Sequence, residues 1–441
     1  PETRLPERLP LGTKAVVKNA TRTEFRDFYR TWYRPERMLL VVVGDIDAEA
    51  TVAHIRDAFA TAMNFGPSPD MPDLGRITDP GLAVKLHVEP EAPEVEINLL
   101  SLRPFTGPVD GRDVRIRKIQ TSAALGMLNR RLDRLAKAED APFTAGSASR
   151  WQYLQFLEAS GVEITCEPET WTEALAVAEQ KLRRAIEHGF SEAELAEVRA
   201  NRLQAAEQAV KRAPTRPSRR LSGALVNAIS NDRVFTSPET GLELTRAAFD
   251  GFTPEAAQQH LRECFSDPDR FLFVAGNLSP ETPESALRDA YLSSTKTPVK
   301  PPQERAAVQW AYTTFGVPGK LAEHQQIEDL DLHQARFRNN VRLNFKKTDF
   351  EANSVSVLIR FGHGQLGLDD ARAGLDVVAD ETFTDGGLGA HDVDTIQQLM
   401  AGKTVSVNFS VGADAFALRG QTSPEDFATQ LELLTAYLTD P

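Results

Sequence analysis

A segment of this 441-residue chain occurs twice, and this repeat limits the possible folds more than any other feature of the sequence. The first copy covers residues 21–59 and the second covers residues 253–292. With an offset of 232 or 233 residues the copies match at Thr21 and Thr253, Arg30 and Arg262, Tyr33 and Phe265, Pro35 and Pro268, Arg37 and Arg270, and Gly44 and Gly276. Because the matched residues also keep the same order of structural signals, the repeat predicts duplicated domains.

The first copy has the pattern of a helix, a strand and a second helix. Five aromatic residues recur at spacings of three and four, and they are expected to form the buried face of a helix that opens at Thr21 or Thr23: Phe25, Phe28, Tyr29, Trp32 and Tyr33. Residues 38–43 are apolar and rich in β-branched types, which predicts a strand covered on both faces. Asp47 is then a suitable N-cap for the second helix.

The rest of the chain combines hairpin-like strand pairs with long helices. Strands are expected at residues 84–88, 95–102, 161–166, 353–361, 404–411 and 416–421, a hairpin at 337–347, and helices at 115–137, 172–188, 191–213, 371–383 and 424–438. This mixed order predicts an α+β fold and not a doubly wound parallel sheet. The proline-rich residues 64–80 and 279–318 are interpreted as linkers.

Composition and charge exclude several classes of function. The formal charge of −13 disfavours general nucleic-acid binding, and the basic run at residues 199–220 contains no aromatic residue, so it is interpreted as a solvated helix face and loop. No apolar stretch of the sequence approaches the ~20 residues that span a bilayer. Cys166 and Cys264 are far apart, and they are expected to be small buried residues and not part of a disulfide framework.

Several segments together resemble the insulinase/pitrilysin family of zinc metallopeptidases. They are RLPLG at residues 8–12, FYRTWYRPERMLLVVVGDID at 28–47, MLNRRL at 127–132, FRNNVRLNFKKTDFE at 337–351, GGLGAHDVDTIQQLMAGKTVSVNF at 386–409 and ALRGQTSPEDFATQLELLTAYLTDP at 417–441. The resemblance covers nearly the whole chain. It implies an α+β fold of repeated two-layer α/β domains, like those of mitochondrial processing peptidase and LuxS-type metalloenzymes, with antiparallel-rich sheets and helices packed on one face.

The resemblance also implies a domain organisation. Residues 1–80 correspond to the C-terminal part of a first, catalytic-type domain with its linker, and residues 81–295 to a second, non-catalytic peptidase-like domain. Residues 296–329 are an interdomain linker, and residues 330–441 are a truncated third domain with a degenerate copy of the zinc site. Because the chain opens without an initiator methionine, it is expected to be part of a longer protein.

Peptidases of this family need an inverted His-x-x-Glu-His motif, in which two imidazoles bind zinc and the glutamate acts as general base. None of the eight histidines of the sequence belongs to such a motif. By resemblance, residues 374–383 occupy the position of the zinc helix, with Val377 and Glu381 where histidines would stand and Asp380 at the base position. No catalytic residue, metal ligand or cofactor is therefore expected in this chain, whereas zinc is implied for the parent protein.

The predicted function is that of a non-catalytic segment of a zinc endopeptidase that helps to enclose peptide substrates. The implied partners are a peptide or unfolded polypeptide and the remaining domains of the same protein, with no nucleic acid and no membrane span. Peptide contacts are expected at exposed strand edges, where backbone groups are free to pair. The alternative is an inactive scaffold or partner subunit of a processing-peptidase-like complex. A periplasmic or secreted location is favoured over the cytoplasm.

Three further patterns have competing interpretations. Gly362, Gly364 and Gly367 match a dinucleotide-binding fingerprint, but the preceding antiparallel hairpin favours a simple turn. Four polar residues could be drawn as metal ligands but are interpreted as a solvated segment without regular geometry: His324, Glu328, Asp331 and His333. Three aromatic residues could line a substrate cleft, although core packing is the default interpretation: Trp151, Tyr153 and Phe156.

Overall fold

The computed structural model of the protein describes residues 3–4, 12–63, 66–77, 81–302, 308–369 and 372–441. The chain divides into two compact units. The first unit contains residues 1–192, 217–236 and 250–302, and the second contains residues 193–216, 237–249 and 303–441. Of the family-like segments, residues 8–11 lie outside the described part of the chain.

Helices and strands alternate along the chain in the mixed order that the sequence predicts. The helices are α1 Lys14–Asn19, α2 Arg22–Trp32, α3 Ala48–Phe59, α4 Arg112–Ala136, α5 Trp171–His188, α6 Glu192–Lys211, α7 Ser218–Ser230, α8 Pro238–Phe249, α9 Pro254–Cys264, α10 Glu284–Ser294, α11 Leu375–Thr382, α12 Val393–Leu399 and α13 Phe427–Thr439. The strands are β1 Leu82–Val88, β2 Val95–Pro104, β3 Ala145–Tyr153, β4 Leu157–Cys166, β5 Arg270–Gly276, β6 Leu321–Ile327, β7 Leu332–Phe337, β8 Arg342–Phe345, β9 Val355–Phe361, β10 Asn408–Val411 and β11 Phe416–Thr422.

The first unit is built on a five-stranded sheet with the order β1–β5–β2–β4–β3. β1 and β5 are parallel, and the other neighbouring pairs are antiparallel. Along β2 the residues Val95, Ile97 and Leu99 are buried, while the alternate residues are more exposed. α4 and α5 pack against the buried face. The predicted fold class, antiparallel-rich sheets with helices on one face, is therefore confirmed.

The second copy of the repeat is an integral part of this sheet. Its strand β5 lies between β1 and β2, and its helix α9 packs on α4 and α5. Leu261 and Cys264 of α9 are almost completely buried, and so is Leu272 of β5. Gly276 ends the strand with a φ of +138°, and a Cβ atom there would collide with the Glu94 carbonyl oxygen. Glycine is required at this position for both reasons.

The first copy forms its predicted helices but not its predicted strand. Thr21 caps α2 through a capping box with Glu24, and the Asp47 carboxylate accepts a 2.8 Å hydrogen bond from the Ala50 N–H at the start of α3. Residues 38–43 contain no strand, and Leu39 and Leu40 are about half exposed. The prediction of a doubly covered strand is wrong for this structure, because no neighbouring strand in the described residues pairs with this segment.

The aromatic stripe of α2 also differs from its predicted burial. Its five side chains are between 36 and 67 % exposed. Four of their five equivalents in the second copy are buried and His260 is partly buried, because α9 packs on α4 and α5, whereas α2 has no buried residue. The prediction of a helix from the amphipathic pattern is therefore confirmed, but the prediction that its aromatic face belongs to a core is wrong here.

The second unit contains two three-stranded sheets, with the orders β6–β7–β8 and β10–β11–β9. Both are antiparallel. α13 packs on β11, and its residues Leu433, Leu434 and Tyr437 form a buried cluster with Leu418 of that strand. The hairpin predicted at 337–347 is present as β7 and β8, which are joined by a turn in which Asn340 has a φ of +67°.

Candidate functional site

The helix at the position of the degenerate zinc site is α11. Val377 is 63 % exposed, and Glu381 is also exposed. Asp380 has a structural contact, because its Oδ1 accepts a hydrogen bond from the Val411 N–H at 2.6 Å. In the described part of the chain, no group of three or more His, Cys, Asp or Glu side chains could hold a metal ion. The assignment of these three positions to a degenerate zinc site stays a prediction.

The glycine motif at residues 362–367 forms a turn. Gly362 and Gly364 have φ values of +65° and +56°, and residues 364–367 form a short 3-10 turn directly after β9. β9 pairs antiparallel with β11, whereas a dinucleotide fingerprint needs a parallel strand that leads into a helix. A Cβ atom at Gly364 would collide with the backbone of Gly412 and Ala415. Close backbone packing therefore explains these glycines.

The two edges of the five-stranded sheet are protected to different degrees. At the β1 edge, Glu284 of α10 accepts a hydrogen bond from the Leu86 N–H at 3.4 Å. Arg288 of the same helix donates to the Leu82 carbonyl oxygen at 2.8 Å. Side chains of α10 thus occupy the backbone groups along this edge, which is a common way to prevent strand addition.

The β3 edge is protected at one residue. The Asn129 amide donates to the Ala148 carbonyl oxygen at 3.0 Å and accepts from the Ala148 N–H. Ala148 therefore faces away from β4, and because strand residues alternate in direction, Arg150 and Gln152 face the same way. Their backbone N–H and C=O groups have no hydrogen-bond partner among the residues that the structure describes. An open stretch of strand edge results.

This open stretch carries two exposed aromatic side chains. Trp151 is 41 % exposed and Tyr153 is 45 % exposed, and both belong to β3. The default interpretation that they pack in the core is wrong, because β3 is an edge strand and they lie on the sheet face opposite to the core helices. The sequence pattern does not predict β3 itself, because several of its residues are small and give a weak strand signal.

An ionic cluster fixes the open end of β3. The Glu158 carboxylate, which is almost buried, accepts hydrogen bonds from Arg103 at 2.5 Å and from Arg150 at 2.7 Å. Burial acts to raise the pKa of Glu158, but the hydrogen bonds from Arg150 and Arg103 outweigh this effect and lower it. Arg150 also contacts the buried Cys264 thiol, whose pKa is raised by burial. The cluster joins β2, β3 and β4.

An acidic cleft lies at one end of the same sheet. It has a volume of about 420 Å³ and includes His87, Glu89, Glu94 and Glu96 in its lining. Nearby, burial and a hydrogen bond with Glu96 raise the pKa of Glu163. The glutamates that line the cleft give it a negative charge, which favours the approach of a cationic group.

The histidines at 324 and 333 also differ from their predicted setting. They belong to the regular antiparallel hairpin β6–β7, whereas the sequence indicated a segment without regular geometry. His324 Nε2 lies 3.3 Å from His333 Nδ1. Glu328 begins the turn between the two strands, and Asp331 ends it in a left-handed conformation. Cys166 and Cys264 are free and buried, as predicted.

Comparison with known proteins agrees with this fold. Residues 19–132 match the family described as the peptidase M16 inactive domain. The chain is 22 % identical over 427 residues to the probable zinc protease PqqL of Escherichia coli. This alignment covers 93 % of the present chain and 44 % of PqqL. The crystal structure of the periplasmic protease PqqL from Escherichia coli superposes on this fold with a TM-score of 0.60 and 20 % identity. The match covers all of the present chain and 49 % of the PqqL chain.

A second solved structure gives a similar match. It is the ferredoxin protease FusC in complex with Arabidopsis ferredoxin, with a TM-score of 0.61, 16 % identity, and coverage of all of this chain and 49 % of FusC. The fold and the matched region define a non-catalytic domain of a zinc-protease family. The chain is similar to the insulinase-type M16 proteases, in agreement with the resemblance seen in the sequence, and it spans about half the length of the relatives that it matches.

Proposed function

We propose that this chain is a non-catalytic segment of an M16 zinc endopeptidase and that it binds extended peptides along the edge of β3. The open edge at Arg150 and Gln152 is the observation that carries this proposal, since an extended peptide pairs with such an edge through main-chain hydrogen bonds. Trp151 and Tyr153 offer apolar contacts to alternate side chains of the peptide. The capped β1 edge offers neither feature.

The charge of the protein supports a preference for cationic peptide segments. The cleft lined by Glu89, Glu94 and Glu96 is acidic, and the chain carries a formal charge of −13. Opposite charge on a substrate raises the rate of encounter and disfavours partners of like charge. Peptides with lysine or arginine residues are therefore proposed to bind better than acidic peptides.

The relatives suggest the kind of partner and the compartment. PqqL is described as a periplasmic protease, and the ferredoxin protease FusC was solved in complex with Arabidopsis ferredoxin. By analogy we propose a polypeptide partner and a periplasmic or secreted location for the parent protein. Among the described residues, no helix is both long and apolar enough to cross a bilayer.

We further propose the domain organisation that the resemblance implies, with residues 1–80 as the closing part of a catalytic-type domain and 81–295 as a non-catalytic domain. The exposed stripe of α2 supports this proposal, because most of its repeat equivalents in the second copy are buried. Residues 296–329 would link this domain to a third one at 330–441, with β6 at the end of the linker paired to β7 of the third domain. A zinc site elsewhere in the parent protein would then perform the peptide hydrolysis.

Substitution of Gln152 by proline tests the β3 edge. Proline has no backbone N–H, and at an edge position it removes a donor only from an added strand. We expect Gln152→Pro to weaken binding of a fluorescein-labelled, reduced and carboxamidomethylated ribonuclease about tenfold, the equivalent of one net hydrogen bond. Gln152→Ala, which keeps the N–H, should bind like the wild type. Fluorescence anisotropy measures both.

The fold of the proline variant needs an independent check. Its unfolding midpoint should stay close to that of Gln152→Ala, because the Gln152 N–H points away from β4. Hydrogen exchange gives a second test, since bound peptide should slow exchange at Arg150 and Gln152. Equal binding by a folded proline variant, with no protection of these two amides, would show that peptide does not bind at β3.

A further inference from the structure

Two imidazoles lie side by side on one face of the β6–β7 hairpin in the second unit. His324 lies opposite Ala335 and His333 lies opposite Gln326, so the histidines are diagonal neighbours on the same face. Their rings are parallel within 7°, with centroids 5.5 Å apart, and His324 Nε2 is 3.3 Å from His333 Nδ1. In the absence of metal, one nitrogen donates its proton to the other.

The hairpin holds this pair in a defined register. On the opposite face, the side chains of Gln325, Gln334 and Asn344 form a hydrogen-bonded ladder across three strands, with distances of 2.7 and 3.0 Å. Phe345 of β8 lies directly opposite His333, with its ring centroid 6.2 Å from the imidazole centroid. The His333 ring is therefore supported from one side, and the exposed His324 supports it from the other.

We propose that His324 and His333 form a binding site for a divalent transition-metal ion on the surface of this hairpin. Two imidazole nitrogens bound to one metal at 2.0–2.1 Å in tetrahedral geometry are about 3.3–3.4 Å apart. The observed separation of 3.3 Å already matches this value. Binding requires that the donor imidazole shifts its proton to its other ring nitrogen, and that both rings turn so that the two lone pairs converge on the metal instead of facing each other.

The donor set determines which metals fit. Imidazole suits Cu²⁺, Ni²⁺ and Zn²⁺, and affinity for a given nitrogen site is highest for Cu²⁺. No third His, Cys, Asp or Glu side chain joins the pair in the described residues, so water completes the coordination. A site with two protein ligands exchanges its metal readily. It also differs from the catalytic zinc site of the family, which requires the His-x-x-Glu-His helix.

A titration of the whole chain with Cu²⁺ alone tests this site. The protein is stripped with EDTA and dialysed, and binding is followed by calorimetry and electron paramagnetic resonance. We expect one saturable Cu²⁺ ion per chain with two nitrogen ligands. His324→Gln and His333→Gln should each weaken binding about tenfold or more, since even groups that only orient a ligand are worth roughly that much. Ni²⁺ and Zn²⁺ should bind more weakly at the same site.

His363→Gln provides the matched control, because this exposed histidine lies in the same unit but away from the hairpin sheet. It should bind Cu²⁺ like the wild type. Unfolding midpoints of all three variants should stay close to that of the wild type, since His324 and His363 are exposed and His333 is partly exposed. The proposal fails if the wild type has no saturable Cu²⁺ site, or if Cu²⁺ binding is unchanged in either His324→Gln or His333→Gln.

Discussion

At the scale of single residues, Glu158 is the carboxylate on which the local structure of β3 depends most. It is 8 % exposed and pairs with two guanidinium groups, those of Arg103 and Arg150. A buried pair is costly to break, because removal of one partner leaves the other charge without compensation. Glu158 therefore links the stability of the first unit to the open edge that is proposed to bind peptide.

Replacement of Glu158 by glutamine should destabilise the first unit by about 2–3 kcal/mol, somewhat less than a fully buried pair because both arginines stay partly exposed. Arg117→Gln breaks the more exposed pair with Glu263 and should cost less than about 1 kcal/mol. Urea unfolding measures both values. Equal losses in the two variants would contradict a special role of Glu158.

The pH dependence of this effect has a definite sign. The folded pKa of Glu158 is lowered, so the folded state binds fewer protons than the unfolded state near the ordinary carboxyl pKa. The stabilisation by Glu158 is therefore complete above the unfolded pKa and is lost as the pH falls through the folded pKa. The difference in unfolding free energy between the wild type and Glu158→Gln should shrink over that acidic range.

At the scale of elements, the sequence predicts local structure better than burial. The caps at Thr21 and Asp47 and the amphipathic periods of α2 and α3 depend only on neighbouring residues, and these helices form as predicted. Strand formation at 38–43 depends on distant segments that must supply hydrogen-bond partners. The equivalent segment of the second copy is β5, which is a central strand between β1 and β2. The two copies therefore differ in strand formation because only the second has neighbouring strands in the described residues.

The repeat itself provides a matched pair of substitutions. Tyr29 and Leu261 occupy equivalent positions, but Tyr29 is 55 % exposed whereas Leu261 is completely buried. Leu261→Ala should therefore cost about 2–5 kcal/mol, as is typical of a core leucine. Tyr29→Ala should change stability by less than about 0.5–1 kcal/mol in this chain. Chemical denaturation compares them, and a loss of several kcal/mol in Tyr29→Ala would show that the α2 stripe is packed in a core.

Hydrogen exchange should show the same contrast along the backbone. Amides of β5 lie between two strands and should exchange slowly, while amides of residues 38–43 should exchange rapidly.

At the scale of the whole molecule, the sequence predicts the family and the class of fold but not the site. The family follows from motifs spread over nearly the whole chain, and the matches to M16 proteases confirm it. The open β3 edge could not be predicted, because it depends on which strand is last in the sheet and on the contact between Asn129 and Ala148. The His324–His333 pair likewise depends on the register of a hairpin that the sequence pattern did not indicate.

The whole chain is expected to hydrolyse no peptide and to retain no tightly bound zinc. Its eight histidines include no His-x-x-Glu-His motif, and without this motif there is no zinc-bound water and no glutamate to activate it. A quenched fluorescent peptide assay and metal analysis of the dialysed protein measure the two properties. Zinc held at the proposed hairpin site should leave with EDTA without changing the unfolding midpoint.

A contaminating host peptidase is the main source of error in this assay, so only activity that copurifies with the chain is attributed to it. The control is His324→Gln, which separates zinc at the hairpin from zinc at any other position. Peptidase activity that copurifies with the chain, is abolished by a chelator and survives in His324→Gln would require a catalytic zinc site outside the hairpin. In that case the interpretation of this chain as a non-catalytic segment would have to be abandoned, because the metal would perform chemistry that its sequence pattern excludes.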